Sequence, residues 1–169
     1  MEWMTMPLKR YAEFNGRSRR KEYWMWTLML VLVYFAFGIL AGVLGGGAMM
    51  GMASGSTGGM AAAGGAALIV IGLLCIFALA VFIPGLAVTI RRLHDTDRSG
   101  WFILLPLAGY AIALIGTAAQ SSALSLIGGL AYFALAITLL VFMCLDGTPG
   151  PNRYGPDPKL RGGVEPVAY

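Results

Sequence analysis

Residues 66–90 read AALIVIGLLCIFALAVFIPGLAVTI and contain no Asp, Glu, Lys, Arg or His. A bilayer core about 30 Å thick needs roughly 17 to 25 apolar residues in a helix that rises about 1.5 Å per residue. This stretch is therefore long enough to cross a membrane. The charged sequence RRLHDTDRSGW follows at once, at residues 91–101, and marks where the span ends.

Three other runs are equally free of charge, at residues 23–44, 101–117 and 124–145. The run 101–117 is short and has Pro106 near its start, so it fits either a full span or a re-entrant segment. The runs are continuously apolar and do not alternate, which favours helices over the strands of a barrel.

The pattern as a whole predicts an all-α polytopic membrane protein with four transmembrane helices. The helical domain covers residues 23–145, after a basic segment at 1–22 and before a Pro/Gly-rich tail at 146–169. The composition agrees, because 58% of the 169 residues are hydrophobic and only 12% are charged. Soluble domains carry about 25% charged residues. Large soluble enzymes and nucleic-acid-binding domains are therefore poor fits, and the lipid bilayer is the expected partner.

The distribution of basic residues predicts the orientation. Six of the twelve Lys and Arg precede the first span, three lie in residues 91–100 and three follow the last span. The connections at 45–65 and 118–123 contain none. Because short cytoplasmic loops retain Lys and Arg, we expect both termini and the middle loop on the cytoplasmic side of a bacterial inner membrane.

Polar residues on that side form three stretches, at 14–24, 91–101 and 146–158. Four antiparallel spans would bring all three stretches to one surface. We therefore predict a cytoplasmic cluster of charged and polar residues. Its members are Gly16, Arg17, Arg20, Glu22, Arg91, Arg92, His94, Asp95, Asp97, Arg98, Asp146, Asn152, Arg153 and Tyr154.

The cluster has more than one interpretation. Cations in the first stretch can act only as topology signals, or they can bind anionic lipid headgroups or phosphate. In the middle loop, His94, Asp95 and Asp97 are metal-ligand types, with Asp146 or Glu22 as a further oxygen donor. Helical spacing instead predicts local pairs, Arg91 with Asp95 and His94 with Arg98. We favour the local pairs and assign no metal, cofactor or catalytic residue.

Glycines suggest two further features. Residues 45–65 hold nine glycines, which predicts a mobile connector between the first two spans. Gly38 and Gly42 form a Gly-x-x-x-Gly face that would permit close helix contact, for example between the subunits of a homo-oligomer.

Three ordered motifs resemble an uncharacterised bacterial inner-membrane family catalogued as domain of unknown function 805. The first motif lies before the first span, the second in the middle loop and the third in the tail. Their matching residues are Phe14, Gly16, Arg17, Arg20, Glu22, Tyr23 and Trp24; Arg91, Arg92, His94, Asp95, Ser99, Gly100 and Trp101; and Gly147, Gly150, Asn152, Tyr154, Gly155, Asp157 and Pro158. The resemblance implies a small polytopic membrane protein and no particular activity.

The functional expectation is a non-enzymatic membrane protein whose charged cytoplasmic surface binds anionic lipid or a protein partner. A small transporter or channel is the first alternative, although the spans carry no ionisable Asp, Glu, Lys, Arg or His for an ion path. An enzyme acting on lipid headgroups through a metal or phosphate site is the second alternative.

Overall fold

The computed structural model describes residues 2–53, 55 and 57–159. Within these residues the regular structure is helical, with helices α1 (Glu2–Lys9), α2 (Arg20–Ala53), α3 (Thr57–Asp95), α4 (Leu105–Ala118) and α5 (Ser122–Cys144). A short 3-10 helix, Gly100–Leu104, precedes α4 directly. Four helical segments are long and apolar enough to cross a membrane, and this confirms the predicted all-α fold.

The 3-10 helix and α4 together form the third of these segments, Gly100–Ala118. Pro106 lies in the first turn of α4, where the missing N–H removes no helical hydrogen bond. The segment therefore has the length and composition of a full span.

Residues 45–65 still connect the first two spans, which end at Gly47 and begin at Gly64, but most of this connection is helical rather than the expected loop. Helix α2 continues to Ala53 and α3 already begins at Thr57. Glycine is a weak helix former, so propensity alone does not explain this extension. Each residue added to an existing helix gains one hydrogen bond without a new nucleation step, and the two long apolar helices therefore continue into the connection.

The helices pack as two hairpins, α2 on α3 and α4 on α5. Trp26, Val81 and Val88 form the buried core of the first hairpin. Much of the remaining apolar surface faces outward, and Leu79, for example, is 73% exposed. Outward apolar side chains are expected where lipid is the solvent.

The second hairpin is held together by glycines that the sequence pattern did not single out. A Cβ built on Gly109 would lie 2.2 Å from the backbone nitrogen of Tyr132, and one on Gly128 would lie 2.2 Å from that of Ala113. The backbones of α4 and α5 therefore touch directly at these positions. The predicted Gly-x-x-x-Gly face of α2 has open space instead, so within the described chain it joins no helix pair.

Candidate functional site at the charged end of the helices

Arg17 connects the N-terminal segment, the end of α3 and the C-terminal tail. Its Nε donates a hydrogen bond to Oδ1 of Asp95 at 2.9 Å. The other guanidinium nitrogens donate to the carbonyl oxygens of Thr148 at 2.6 Å and Gly150 at 2.7 Å. The Arg17 side chain is 1% exposed. The three predicted stretches therefore do meet on one surface, at what we call the charged end.

Asp95 is shared between two arginines. Its second carboxylate oxygen accepts from Arg92, which lies one turn earlier on α3 and is also buried. Arg92 reaches further, donating to the carbonyl oxygens of Met143, at 3.2 Å, and Leu145 at the end of α5. Carbonyls in the last turn of a helix lack helical partners and carry partial negative charge. Arg92 thus ties the first hairpin to the second.

A second buried ion pair joins Arg91 to Glu22 in the first turn of α2, with Nη2 and Oε1 3.0 Å apart. Arg91 also donates to the carbonyl oxygen of Glu13. The predicted local pair of Arg91 with Asp95 was therefore wrong. On α3, Arg91 is directed towards the start of α2, whereas Asp95 contacts Arg17 and Arg92.

We call Arg17, Glu22, Arg91, Arg92 and Asp95 the buried cluster. It holds three cations and two carboxylates, and all five residues are buried. Backbone carbonyls of the tail and of the helix ends accept further guanidinium hydrogens of Arg17 and Arg92. Among the described residues, only Nε of Arg91 in this cluster is buried without a hydrogen-bond partner. A buried charge is tolerated when it is paired and hydrogen-bonded, as these residues are. The cluster therefore has the geometry of a structural clamp.

His94 and Tyr154 bring the middle loop and the tail together beside the buried cluster. Their rings stack with centroids 3.8 Å apart and planes 3° from parallel. Nδ1 of His94 lies 3.3 Å from the carbonyl oxygen of Gly16, which has a positive φ of 85°. The side-chain amide of Asn152 donates to the carbonyl oxygen of His94 at 2.9 Å.

Other predicted members lie at the rim. Arg153 forms an ion pair with Asp97 at 3.2 Å, and both side chains are largely exposed. Arg98 lies over the ring of Phe142, 3.9 Å from its centroid. The predicted pairing of Arg98 with His94 was therefore wrong, since each side chain stacks on a different aromatic ring.

Arg20 and Asp146 form an exposed pair with their charged atoms 3.5 Å apart, and Lys159 joins the same carboxylate. Near α1, the Arg10 guanidinium donates two hydrogen bonds to Glu13 and lowers the pKa of that carboxyl. Both groups are surface pairs, which contribute little to stability.

The alternative metal site gains no support from this geometry. Both carboxylate oxygens of Asp95 accept hydrogen bonds from arginines, and Asp97 forms an ion pair with Arg153. The His94 ring stacks on Tyr154. Among the described residues, no three His, Cys, Asp or Glu side chains are placed to hold a metal ion.

Sequence reasoning missed residues that act through backbone or through the absence of a side chain. Thr148 supplies a carbonyl oxygen to Arg17, and its backbone nitrogen donates to the carbonyl oxygen of Asp95 at 2.9 Å. A Cβ on Gly147 would lie 2.1 Å from Oδ2 of Asp95. The sequence Gly-Thr-Pro-Gly at residues 147–150 predicts a turn, but it does not predict which carboxylate the turn contacts.

A basic groove lies outside the buried cluster, beside the start of α2. It has a volume of about 370 Å³ and is lined by Trp3, Arg19, Arg20, Lys21 and Lys159. Arg19 and Lys21 lie over the Trp3 ring, 5.9 and 5.5 Å from its centroid. A neighbouring groove of about 430 Å³ continues along Trp24, Met25 and Cys144 and shares Arg20 and Lys21.

An apolar cavity of about 410 Å³ lies on another side of the charged end, between α3, the 3-10 helix and the tail. His94, Ser99 and Tyr154 form its polar boundary, and Ile90 and Leu104 are among its aliphatic walls.

The whole chain resembles known membrane proteins. The family model described as "Protein of unknown function (DUF805)" matches residues 11–156. "Inner membrane protein YhaH" of Escherichia coli (strain K12) is 38% identical over 160 residues, covering 95% of this chain and 98% of the relative. "Inner membrane protein YhaI" of the same strain is 36% identical with the same coverage. No solved structure matches the chain. Four apolar helices and these relatives together show that the chain is an integral inner-membrane protein and belongs to the DUF805 family.

Proposed function

We propose that this protein binds anionic phospholipid at the cytoplasmic face of the inner membrane, through a basic surface formed by Arg19, Arg20, Lys21 and Lys159. One observation carries the proposal. Arg19 and Lys21 flank Trp3 in a groove, and within the described part of the chain neither cation lies within ion-pair distance of an acid.

Not every cation near α2 is available to a lipid. Arg17, Arg91 and Arg92 are buried and engaged by carboxylates and carbonyls. Arg20 and Lys159 lie outside the buried cluster but share the Asp146 carboxylate. Arg19 and Lys21 are therefore the cations of the basic groove that are best placed to meet a phosphate. Each Lys or Arg near an anionic surface contributes about 1 kcal/mol of attraction.

The two neighbouring grooves match the two parts of a phospholipid. The basic groove offers cations to a phosphate, and the groove along Trp24 and Met25 offers apolar surface to an acyl chain. Tryptophan favours the headgroup level of a bilayer, which suits Trp3 and Trp24 as the boundary between the two.

Removing two of the free cations tests the proposal. The double variant Arg19→Gln/Lys21→Gln should bind phosphatidylglycerol roughly 30-fold more weakly, because two contributions of about 1 kcal/mol are lost. Native mass spectrometry of the purified full chain measures retained phosphatidylglycerol against phosphatidylethanolamine with the same acyl chains.

The control variant Arg98→Gln/Arg153→Gln removes the same charge at the rim, away from the basic groove. It should keep the wild-type preference for phosphatidylglycerol. Equal losses of phosphatidylglycerol binding in the two double variants would show that binding depends only on net charge. Unchanged binding in Arg19→Gln/Lys21→Gln would mean that these cations act only as topology signals.

The proposal requires both termini in the cytoplasm, which rests on the position of the Lys and Arg residues. Alkaline phosphatase, which is active only outside the cytoplasm, should be active when inserted after Gly55 in the connection between α2 and α3. A fluorescent protein that folds in the cytoplasm should fluoresce when fused after Lys159. The opposite pair of results would reverse the orientation and remove the proposed lipid surface from the cytoplasmic leaflet.

A further inference from the structure

The apolar cavity beside His94 is elongated along α3, which suits a lipid oriented along the membrane normal. It extends along α3 from His94 to Leu86, eight residues or about 12 Å of helix. Its other walls come from the 3-10 helix and from Tyr154 in the tail. Cavities of 300 to 1,000 Å³ with apolar walls and a few convergent polar groups are typical of small-molecule sites.

The polar boundary of the cavity presents a hydrogen-bond acceptor. The carbonyl oxygen of Gly16 can only accept, so Nδ1 of His94 must be the donor in their 3.3 Å contact. In the neutral imidazole, Nε2 is then the acceptor. Nε2 lies on the Gly100 side of the ring, 3.6 Å from where a Cβ on that glycine would lie, and has no hydrogen-bond partner among the described residues.

Gly100 keeps this side of the cavity open. A Cβ at that position would lie 2.8 Å from Cγ2 of Ile90. Ser99 accepts a hydrogen bond from the backbone nitrogen of Trp101, which leaves its own hydroxyl hydrogen to donate. The polar boundary can therefore both accept and donate a hydrogen bond.

The cavity wall carries no formal charge when His94 is neutral, in contrast to the basic groove beside α2. Arg153 lies over the Tyr154 ring but does not line the cavity. A phosphate placed here would lose water without a cationic lining residue to contact, which is unfavourable. A hydroxyl group meets both an acceptor and a donor. The apolar walls, and the position of the cavity between two membrane-spanning segments, favour a ligand that is dissolved in the bilayer.

We propose that this cavity binds an uncharged, hydroxyl-bearing lipid of the diacylglycerol type. The hydroxyl group donates to Nε2 of His94, and the glycerol and upper acyl chain lie against Ile90, Leu86 and Leu104. This site is separate from the basic groove and does not depend on the binding of anionic phospholipid.

The first experiment asks whether the hydroxyl group is recognised. Purified full-length protein at pH 8, where imidazole is neutral, is titrated with dioleoylglycerol or with its 3-acetyl derivative and examined by native mass spectrometry. The wild type should prefer dioleoylglycerol by about 2- to 10-fold, the range of one net hydrogen bond. Equal binding of the two lipids, or binding of neither, would overturn the proposal.

Two variants locate the site. His94→Phe keeps an aromatic ring for Tyr154 to stack on, and it should abolish the preference for the hydroxyl lipid. Leu104→Trp fills the cavity and should reduce binding of both lipids at least tenfold. Its matched control is Leu126→Trp, which adds the same ring at a 64% exposed position of α5.

The readouts separate lipid binding from damage to the fold. The unfolding transitions of Leu104→Trp and Leu126→Trp are compared in the same detergent, and His94→Phe provides a second test that depends on selectivity rather than on total binding. A preference that survives in His94→Phe, or wild-type binding in a folded Leu104→Trp protein, would place the lipid elsewhere and overturn the assignment.

Discussion

Replacement of Asp95 by asparagine is expected to lower the free energy of unfolding by about 3 to 5 kcal/mol, the usual cost of breaking a buried ion pair from one side. The carboxylate is 2% exposed and contacts both Arg17 and Arg92. An amide of the same shape leaves these two guanidinium groups buried beside a neutral partner. Reversible unfolding in mixed detergent micelles, followed by circular dichroism, measures the change.

The same variant should also loosen the tail. Arg17 holds the Thr148 and Gly150 carbonyls only while Asp95 fixes its guanidinium, so limited proteolysis after residue 146 should become faster. Asp97→Asn is the control, because this carboxylate lies in a largely exposed pair with Arg153. Its expected cost is about 0 to 1 kcal/mol. Similar losses in the two variants would show that the buried cluster is not a clamp.

Alanine at Gly128 should destabilise the protein, whereas alanine at the neighbouring Gly129 should not. A Cβ on Gly128 would lie 2.2 Å from the backbone nitrogen of Ala113, so α4 and α5 must separate. Overpacking of this kind typically costs about 1 to 3 kcal/mol. A Cβ on Gly129 meets no atom within 4 Å, and alanine there should be neutral or stabilising by up to about 1 kcal/mol.

The two alanine variants are compared by thermal unfolding in the same detergent. Both variants replace glycine by alanine in the same helix, so the gain in helix propensity is the same in each. A stable Gly128→Ala protein with an unchanged unfolding transition would mean that the α4 and α5 backbones do not touch at this level.

The buried cluster also changes how the basic residues are to be tested. From the sequence, Arg17, Arg19 and Arg20 look like equivalent lipid ligands. In the structure Arg17 is buried against Asp95, whereas Arg19 lies over Trp3 at the surface. Neutralising Arg17 is therefore expected to lower the stability of the fold, and only the surface cations are suitable for testing lipid binding.

Convergence of the three polar stretches could be predicted, because antiparallel spans return the chain to one side of the membrane. The ion-pair partner of each arginine could not be predicted from the sequence. Helical spacing suggested Arg91 with Asp95, yet Arg91 pairs with Glu22 on another helix. A buried charged group must have a partner in good hydrogen-bond geometry, and which partner is within reach depends on how the helices pack.

The sequence by itself determined that the chain crosses a membrane and which stretches carry its charges, because long uncharged apolar runs favour lipid and are bounded by polar residues. Only the tertiary structure decided which glycines allow helix contact. Gly109 and Gly128 face another backbone, whereas Gly38 and Gly42 face open space. Hydropathy is a property of each segment alone, but a close contact or a buried ion pair requires two segments at a definite separation and rotation.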